Sequence, residues 1–495
     1  MNHADLYARY LKASDHWGAL TRQAERRGEP SPSGAEVSQL PDLRQQLEAA
    51  QAELQAVIAE IRKVPDYEYF LRSLPAQQIQ ALAYDAPLAY LAATPAGGMA
   101  LIVTGEKITP VWLDSLTDGA LREAVLGPAD DPGLGGYLGA YDAWRTSVLD
   151  KKIPTEILLI ASCAWLITLE NTTRWLWQAC MEPLVEAFTS PHPALPSPDL
   201  GRGEGVRAVL IPSGLLGLLP LHAAWMADPS TPTGRRYALD LVNFTYAPNA
   251  HALLATREAV DRPADSLLGV ENPDGSIWFS DEAISAAVTH FDPIKVIRLP
   301  GDQATSERVK DGMQRSAVLQ FYTHGIAGFS QPLDSRLLLA NREHLTLGEI
   351  LELHLMQSRL AILAACETAV IGTPALDEVI SLPTGFMQAG VPGVIGSLWI
   401  VRDDSTMMLM TRFYDYWKRE QIPPVEALRR AQTWLRDTTN GEKQTYFKKS
   451  LPEYSGALMP EVTAREALRK MFLLETNARS FSHPYYWAAF GYTGW

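Results

Sequence analysis

Cysteine is scarce in this chain of 495 residues: there are three, Cys163, Cys180 and Cys366, with no Cys-x-x-Cys spacing and no even-numbered set. That excludes a disulfide framework and suits a reducing cytoplasm. Positive charge is also short. With 43 Lys and Arg against 57 Asp and Glu the formal charge is -14, and such a surface repels phosphate backbones, so direct nucleic-acid binding is not expected. Long apolar runs are missing too. The most apolar segment, Ile157 to Leu169, contains Ser162 and Thr168 and lies between Glu156 and Glu170. It is too short to span a bilayer and reads as a buried helix. No basic stretch leading into an apolar one opens the sequence, so no signal peptide is visible and a cytoplasmic protein without a membrane span is expected. There is no HExxH, Walker-type loop or Cys/His cluster, and Gly214 and Gly217 lack the third glycine and following helix of a dinucleotide fingerprint. No metal or cofactor is therefore expected.

What is present suits a folded protein. Hydrophobic residues make up 47% and charged residues 20%, ordinary values for a chain with a packed core. The length exceeds that of one usual domain, so the expectation is a large α/β unit with an appendage, or two domains. Residues 1–64 carry little β-forming sequence. Leu6, Tyr10, Trp17 and Leu20 lie among charges, and Leu40, Leu43, Leu47, Leu54, Val57, Ile58 and Ile61 recur at helical spacing, with Pro30 to Gly34 breaking the two helices apart. This helical segment reads as a spacer or the last unit of a repeat array, because no second copy of a 34-residue pattern follows.

From about Pro65 short apolar runs alternate with helical stretches, the pattern of an α/β sheet covered on both faces. Leu88 to Thr94, Gly97-Gly98 and Met99 to Thr104 read as a hairpin. A long helical region runs from about Thr155 to Phe188, and a loop rich in Pro and Gly from Pro191 to Gly205 separates residues 65–205 from 206–495. Strands are expected at Ala208–Ile211, Leu267–Val270, Val296–Leu299, Val318–Tyr322, Leu360–Ala364, Val394–Leu398 and Trp487–Tyr492. Helices are expected at Ala283–His290, Thr305–Met313, Leu347–Leu353, Leu382–Ala389, Ser405–Lys418 and Pro424–Arg436. Residues from about Asp437 to Ser480 read as an irregular insertion.

Two phrases carry the chemistry, Phe321-Tyr322-Thr323-His324-Gly325 and Leu363-Ala364-Ala365-Cys366-Glu367-Thr368, each ending an apolar run. In open α/β sheets functional groups gather beyond the carboxyl ends of strands. If these strands are neighbours, an imidazole and a thiol share one crevice. A free thiol titrates near pH 8.5 (roughly), so a histidine within reach is needed to generate the thiolate and then to protonate the leaving amine. The N–H groups of Gly325 and Cys366 are the candidate oxyanion donors. A cysteine ending an apolar strand is on its own more often inert packing. The conjunction with His-Gly 42 positions earlier, 366 minus 324, is what favours catalysis; caspases use a spacing of roughly 50.

These residues resemble the CHAT family of caspase-like cysteine peptidases, distant relatives of caspases and separases and often fused to tetratricopeptide repeats. Val209 to Gly214 with Leu218 to Ala224, Ala365-Cys366-Glu367-Thr368, Gly385 to Pro392, Gly396-Ser397-Leu398-Trp399, Asp403 to Thr406 and His483 to Phe490 follow in the family's order. The resemblance implies a caspase-like, mostly parallel sheet with helices on both faces, preceded by the short helical segment, and His324 and Cys366 as the dyad of an endopeptidase. Its substrate would be a specific partner protein, such as a gasdermin-like pore former, in a regulated bacterial antiviral defence or cell-death setting. A regulatory protein or an RNA-guided complex would supply the trigger. Loops at 326–335 and 369–381 would reorganise to complete the crevice. Ala364 stands where many relatives have Ser and metacaspases an Asp, so no basic-residue preference carries over through that position.

Asp334, Asp377, Glu378 and Asp403 are candidates for an acidic substrate pocket. Exposed loop carboxylates need no such purpose, and Asp403 with Asp404 equally suits the cap of a helix starting near Ser405. His222, beside an apolar run, reads as a structural histidine. The rival to the enzyme is a catalytically silent caspase-like scaffold that assembles a signalling complex, and retention of both His324 and Cys366 disfavours it.

Overall fold

The computed structural model describes residues 3–27, 40–64, 74–128, 135–150, 152–189, 206–328, 332–365, 368, 381–454 and 458–495. The chain divides into two compact units, Met1–Pro75 and Ala76–Trp495. In the first, helices α1 (His3–Arg27) and α2 (Leu40–Ile61) run antiparallel. Arg9 pairs with Glu60 at 2.7 Å and, two turns along, His16 approaches Glu53 at 3.9 Å. Leu6, Val57 and Ile61 form one apolar contact between them, and Leu20, Leu43 and Ala50 another. On α2, Val57 and Ile61 are four residues apart and Leu43 and Ala50 seven, which puts each pair on one helix face.

The second unit is built on strands β1 (Leu88–Thr94), β2 (Gly97–Val103), β3 (Ile108–Leu113), β4 (Val206–Pro212), β5 (Trp225–Ala227), β6 (Arg235–Tyr237), β7 (Val242–Tyr246) and β8 (Leu267–Glu271). These are followed by β9 (Val296–Pro300), β10 (Val318–Tyr322), β11 (Gly325–Ile326), β12 (Arg336–Leu338), β13 (His344–Thr346), β14 (Leu360–Leu363), β15 (Gly393–Ser397) and β16 (Phe490–Gly494). Eleven of them form one sheet in the order β3-β2-β1-β4-β7-β16-β15-β14-β10-β8-β9. β9, β8, β10, β14 and β15 make an all-parallel block. β1, β4, β7 and β16 make a second. The two meet at the antiparallel pair β15–β16, so their carboxyl ends point opposite ways. At that joint a Cβ on Gly393 would fall 2.0 Å from the Tyr492 hydroxyl, so glycine is what lets the ring pass.

Every residue of β8, β10, β14 and β15 is buried, as required of parallel strands covered on both faces. Successive residues show the two covers, because side chains alternate across a strand. On β10, Gln320 accepts a hydrogen bond from the Tyr414 hydroxyl at 2.6 Å, while Phe321 packs edge-on against Phe386. The helix Asp403–Tyr414 thus lies on one face and Leu382–Gln388 on the other. Among the described residues no helix is long and apolar enough to cross a membrane.

Four expectations need correction. The helix Thr155–Leu176 is not buried: Trp165 and Leu169 are inside, but Ile157, Leu159, Ile160 and Ile167 are exposed. A segment apolar all round has no period to report which side faces the core. The supposed insertion contains the helices Asn440–Lys448 and Glu461–Met471, whose Phe447, Ala464 and Met471 join the main core. Its signal was the capping box of Thr439 and Glu442. Trp487 ends a short helix, Pro484–Trp487, rather than starting a strand; Pro484 occupies its first turn and overrides the strand preference of the aromatic run. Strand β3 was missed because Pro110 argues against a strand interior, and β3 is indeed at the sheet's edge. The Pro/Gly-rich loop before residue 206 lies outside the described residues.

Candidate active site

β10 and β14 are adjacent and parallel, with Val318 opposite Leu360 and Phe321 opposite Leu363. Beyond β10 the chain is clamped on both sides by Leu338 of β12. The Thr323 hydroxyl donates to the Leu338 carbonyl, and the Leu338 N–H donates to the His324 carbonyl at 2.9 Å. Thr323 is buried, while the His324 ring is 37% exposed. Gly325 pairs with Leu337, and the bond from Leu338 to His324 makes this a non-hydrogen-bonded pair. The Gly325 N–H therefore points away from β12.

Beyond β14, Ala364 and Ala365 are buried, and Ser397 at the end of β15 bonds to both Ala365 and Thr368. Its hydroxyl donates to the Ala365 carbonyl at 2.6 Å, and its N–H donates to the Thr368 hydroxyl oxygen at 2.9 Å. Ser397 and Thr368 are themselves buried. Cys366 and Glu367, between these two fixed points, lie outside the described residues.

A third loop, after β8, reaches the histidine. Ser276 Oγ lies 2.6 Å from His324 Nε2, and Asp274 Oδ2 lies 3.6 Å from the same atom. Two residues along from Ser276, the Trp278 N–H donates to Asp403 Oδ2 at 3.1 Å. Asp403 belongs to the first turn of the helix Asp403–Tyr414, where Arg402 is the N-cap residue, so neither acid is the cap. Asp404 is held by Arg402 through two bonds, at 3.0 and 2.7 Å, and also accepts the Ser405 N–H. Burial raises the Asp403 carboxyl above its ordinary range and the charge of Asp404 adds to this, against downward pulls from the Trp278 N–H, His324 and Arg402. Asp403 and Trp278 line a cleft of about 640 Å³ whose walls include Trp144, Leu159, Ile400 and Tyr486.

Residues 170–494 match the CHAT domain family. The chain belongs to that family. No curated protein matches this CHAT chain. Among solved structures it is similar to separase in the Saccharomyces cerevisiae separase–securin complex, at 10% identity and a TM-score of 0.50, over 81% of this chain and 33% of that one. The CHAT chain thus spans about a third of that separase chain, and the likeness is one of fold. A crystal structure of the Arg specific cysteine proteinase gingipain R aligns with a TM-score of 0.35 at 8% identity, over 66% of this chain and 68% of that one.

Within the CHAT domain the expected residues fare unequally. His324 stands beyond its strand end, beside the Asp403 cleft. Cys366, Asp377 and Glu378 lie outside the described residues, as do 329–331 and 369–380 of the loops expected to move. Asp334 sits exposed on the turn Pro332–Asp334 and is not among the described residues lining the cleft. Asp274 and Ser276 were missed. Their signal was available, an Asn-Pro-Asp-Gly turn directly after an apolar strand. His222 is buried, with Nδ1 2.8 Å from the Tyr246 hydroxyl, and burial pushes its pKa down to about 4.

Proposed function

We propose that this CHAT protein is a cysteine endopeptidase in which Cys366 is the nucleophile and His324 its base and acid. The observation that carries the reading is the register of two strands. Phe321 faces Leu363, an offset of 42 residues (363 minus 321), and His324 and Cys366 stand at the same offset (366 minus 324), each three residues past that pair. Ser397 supports the reading by fixing the residues on either side of Cys366–Glu367.

In this mechanism the thiol proton passes to the His324 ring and the thiolate attacks the scissile carbonyl. The N–H groups of Gly325 and Cys366 receive the developing oxyanion. The imidazolium then protonates the departing amine, leaving a thioester, and the reverse sequence with water releases the acid and restores the thiol. Asp403 sits in the adjoining cleft with its neighbour Asp404 already held by Arg402, so a cationic side chain before the scissile bond is the preferred occupant.

The substrate is a protein partner. Separase, whose fold this chain shares, was crystallised with securin, a protein partner of that enzyme. The family resemblance adds the setting, a bacterial defence or cell-death pathway with a gasdermin-like pore former or another neighbouring-gene product as target. A regulatory protein or RNA-guided complex acts as trigger. The test is incubation with the products of neighbouring genes, with and without such a complex, followed by mass-spectrometric mapping of new termini. New termini with the native protein and none with Cys366→Ala are expected. Identical termini with both would remove the cysteine from the chemistry. A Cys366→Ala protein that retains the biological output would favour the scaffold.

A further inference from the structure

The loop Asn272–Phe279 is built with more constraint than a surface connection needs. It leaves β8, whose last residue, Glu271, pairs with Tyr322 of β10, and the Asn272 N–H carries the ladder one step further by donating to the Tyr322 carbonyl at 2.8 Å. Asn272 has a left-handed φ of 44°, a conformation asparagine tolerates better than most residues. Its side chain brackets Ile277, accepting that residue's N–H and donating to its carbonyl, both at 2.9 Å. Gly275 has φ 76° and donates to the Asn272 carbonyl at 3.1 Å. The loop is thus closed upon itself and tied to the strand that ends in the His324 phrase.

What it presents there is Ser276 and Asp274. Ser276 Oγ lies 2.9 Å from both Asp274 carboxylate oxygens and 2.6 Å from His324 Nε2. A serine hydroxyl has one proton, and an ionised carboxylate only accepts. The self-consistent assignment therefore runs in one direction: His324 Nε2–H donates to Ser276 Oγ, and Ser276 O–H donates to Asp274. That leaves the lone pair on Nδ1 as the ring's basic site.

We propose that Ser276 and Asp274 are positioning residues that fix the orientation and tautomer of His324, so that Nδ1 is left as the ring's basic nitrogen. The proposal rests on the catalytic reading of His324. The His324 ring and the Asp274 side chain are 37% and 42% exposed, so water screens the carboxylate's charge. Holding the ring is consequently the larger effect, and the charge on the imidazolium the smaller.

The test uses the alkylation of Cys366 by iodoacetamide at neutral pH, followed by peptide mass spectrometry, which needs no substrate. Exposed Cys163 serves as the internal reference. In the native protein Cys366 should react faster than Cys163, and His324→Ala should remove the difference. Ser276→Ala and Asp274→Asn should each slow Cys366 by roughly tenfold to a hundredfold, the usual effect of misplacing a group that orients a histidine, with Cys163 unchanged. Ser276→Thr, which keeps the hydroxyl, should restore most of the rate. ¹⁵N NMR of the ring should show Nε2 protonated in the native protein and a tautomer mixture in Ser276→Ala, a change that loosened structure elsewhere does not produce. Undiminished Cys366 alkylation in both loop variants, with His324→Ala still slow, would overturn the relay and leave the dyad standing. An unchanged rate in His324→Ala would overturn the dyad and the relay together.

Discussion

His222 and His324 lie beyond the carboxyl ends of parallel strands in the two opposed blocks of one sheet, and their surroundings differ. His222, in the turn Leu221–Ala223 after β4, is 5% exposed and bonded to the Tyr246 hydroxyl. Burial holds it neutral, with its pKa down to about 4. His324, after β10, keeps a ring 37% exposed and bonded to a hydroxyl that is itself bonded to a carboxylate. An imidazole serves proton transfer when it is oriented but still wet enough to charge, and serves packing when it is oriented and dry. Position at a strand end does not decide between the two; desolvation does.

Substitution should separate these histidines by the kind of effect as well as its size. His324→Ala should lower cleavage of the mapped partner by about 10²–10⁴-fold, the range for a lost general acid–base group, with the thermal unfolding midpoint nearly unchanged. His222→Gln should leave turnover of the folded protein intact. Within the His324 region, Asp403→Asn should cut kcat/KM by roughly 10- to 100-fold for substrates with Arg or Lys before the scissile bond, the worth of a hydrogen bond to a charged group. Substrates with a neutral residue there should be unaffected, and equal loss on both would remove Asp403 from specificity.

The buried region should declare itself through pH. An imidazole of pKa near 6.5 (about) in the unfolded chain and about 4 when folded binds its proton more readily once unfolded. Its stability is therefore complete above pH 6.5 (roughly) and falls as the pH drops towards 4 (about), by about 3 kcal/mol in all. His483, also pushed down to about 4 by burial, adds to the same slope. Urea unfolding at neutral and mildly acid pH should show this slope reduced in His222→Gln. The smallest effect expected is that of Ser397→Ala, which leaves the buried Ala365 carbonyl without the Ser397 hydroxyl that donates to it and should cost about 1–3 kcal/mol. A drop in turnover with it would tie the anchoring of Ala365 to the chemistry.

Much of this was legible in the sequence because the strands that position the site are buried on both faces and read as short, mostly apolar runs. Val318–Tyr322, Leu267–Glu271 and Leu360–Leu363 are the cases in point. His324 was legible for the same reason, since a polar residue directly after such a run must lie at its end. The helix Thr155–Leu176 misled because hydrophobicity says that a side wants cover without saying where cover is found. Asp274 and Ser276 were legible as part of a turn but not as neighbours of the histidine. Their place at the histidine depends on β8 neighbouring β10, a pairing between strands about fifty residues apart that local pattern does not encode. The role of Ser397 was invisible for a like reason, as its bonds reach across to the turn after β14.

The joint between the two blocks has a consequence for how the molecule comes into being. β16 sits in the interior of the sheet, between β15 and β7, yet it follows the other ten strands of that sheet in the described chain. On the ribosome both neighbours therefore wait with one open edge until residue 494 has emerged. Until then the sheet is two separate blocks, and a chain stalled before that point exposes two unpaired borders of the kind that chaperones and aggregates bind.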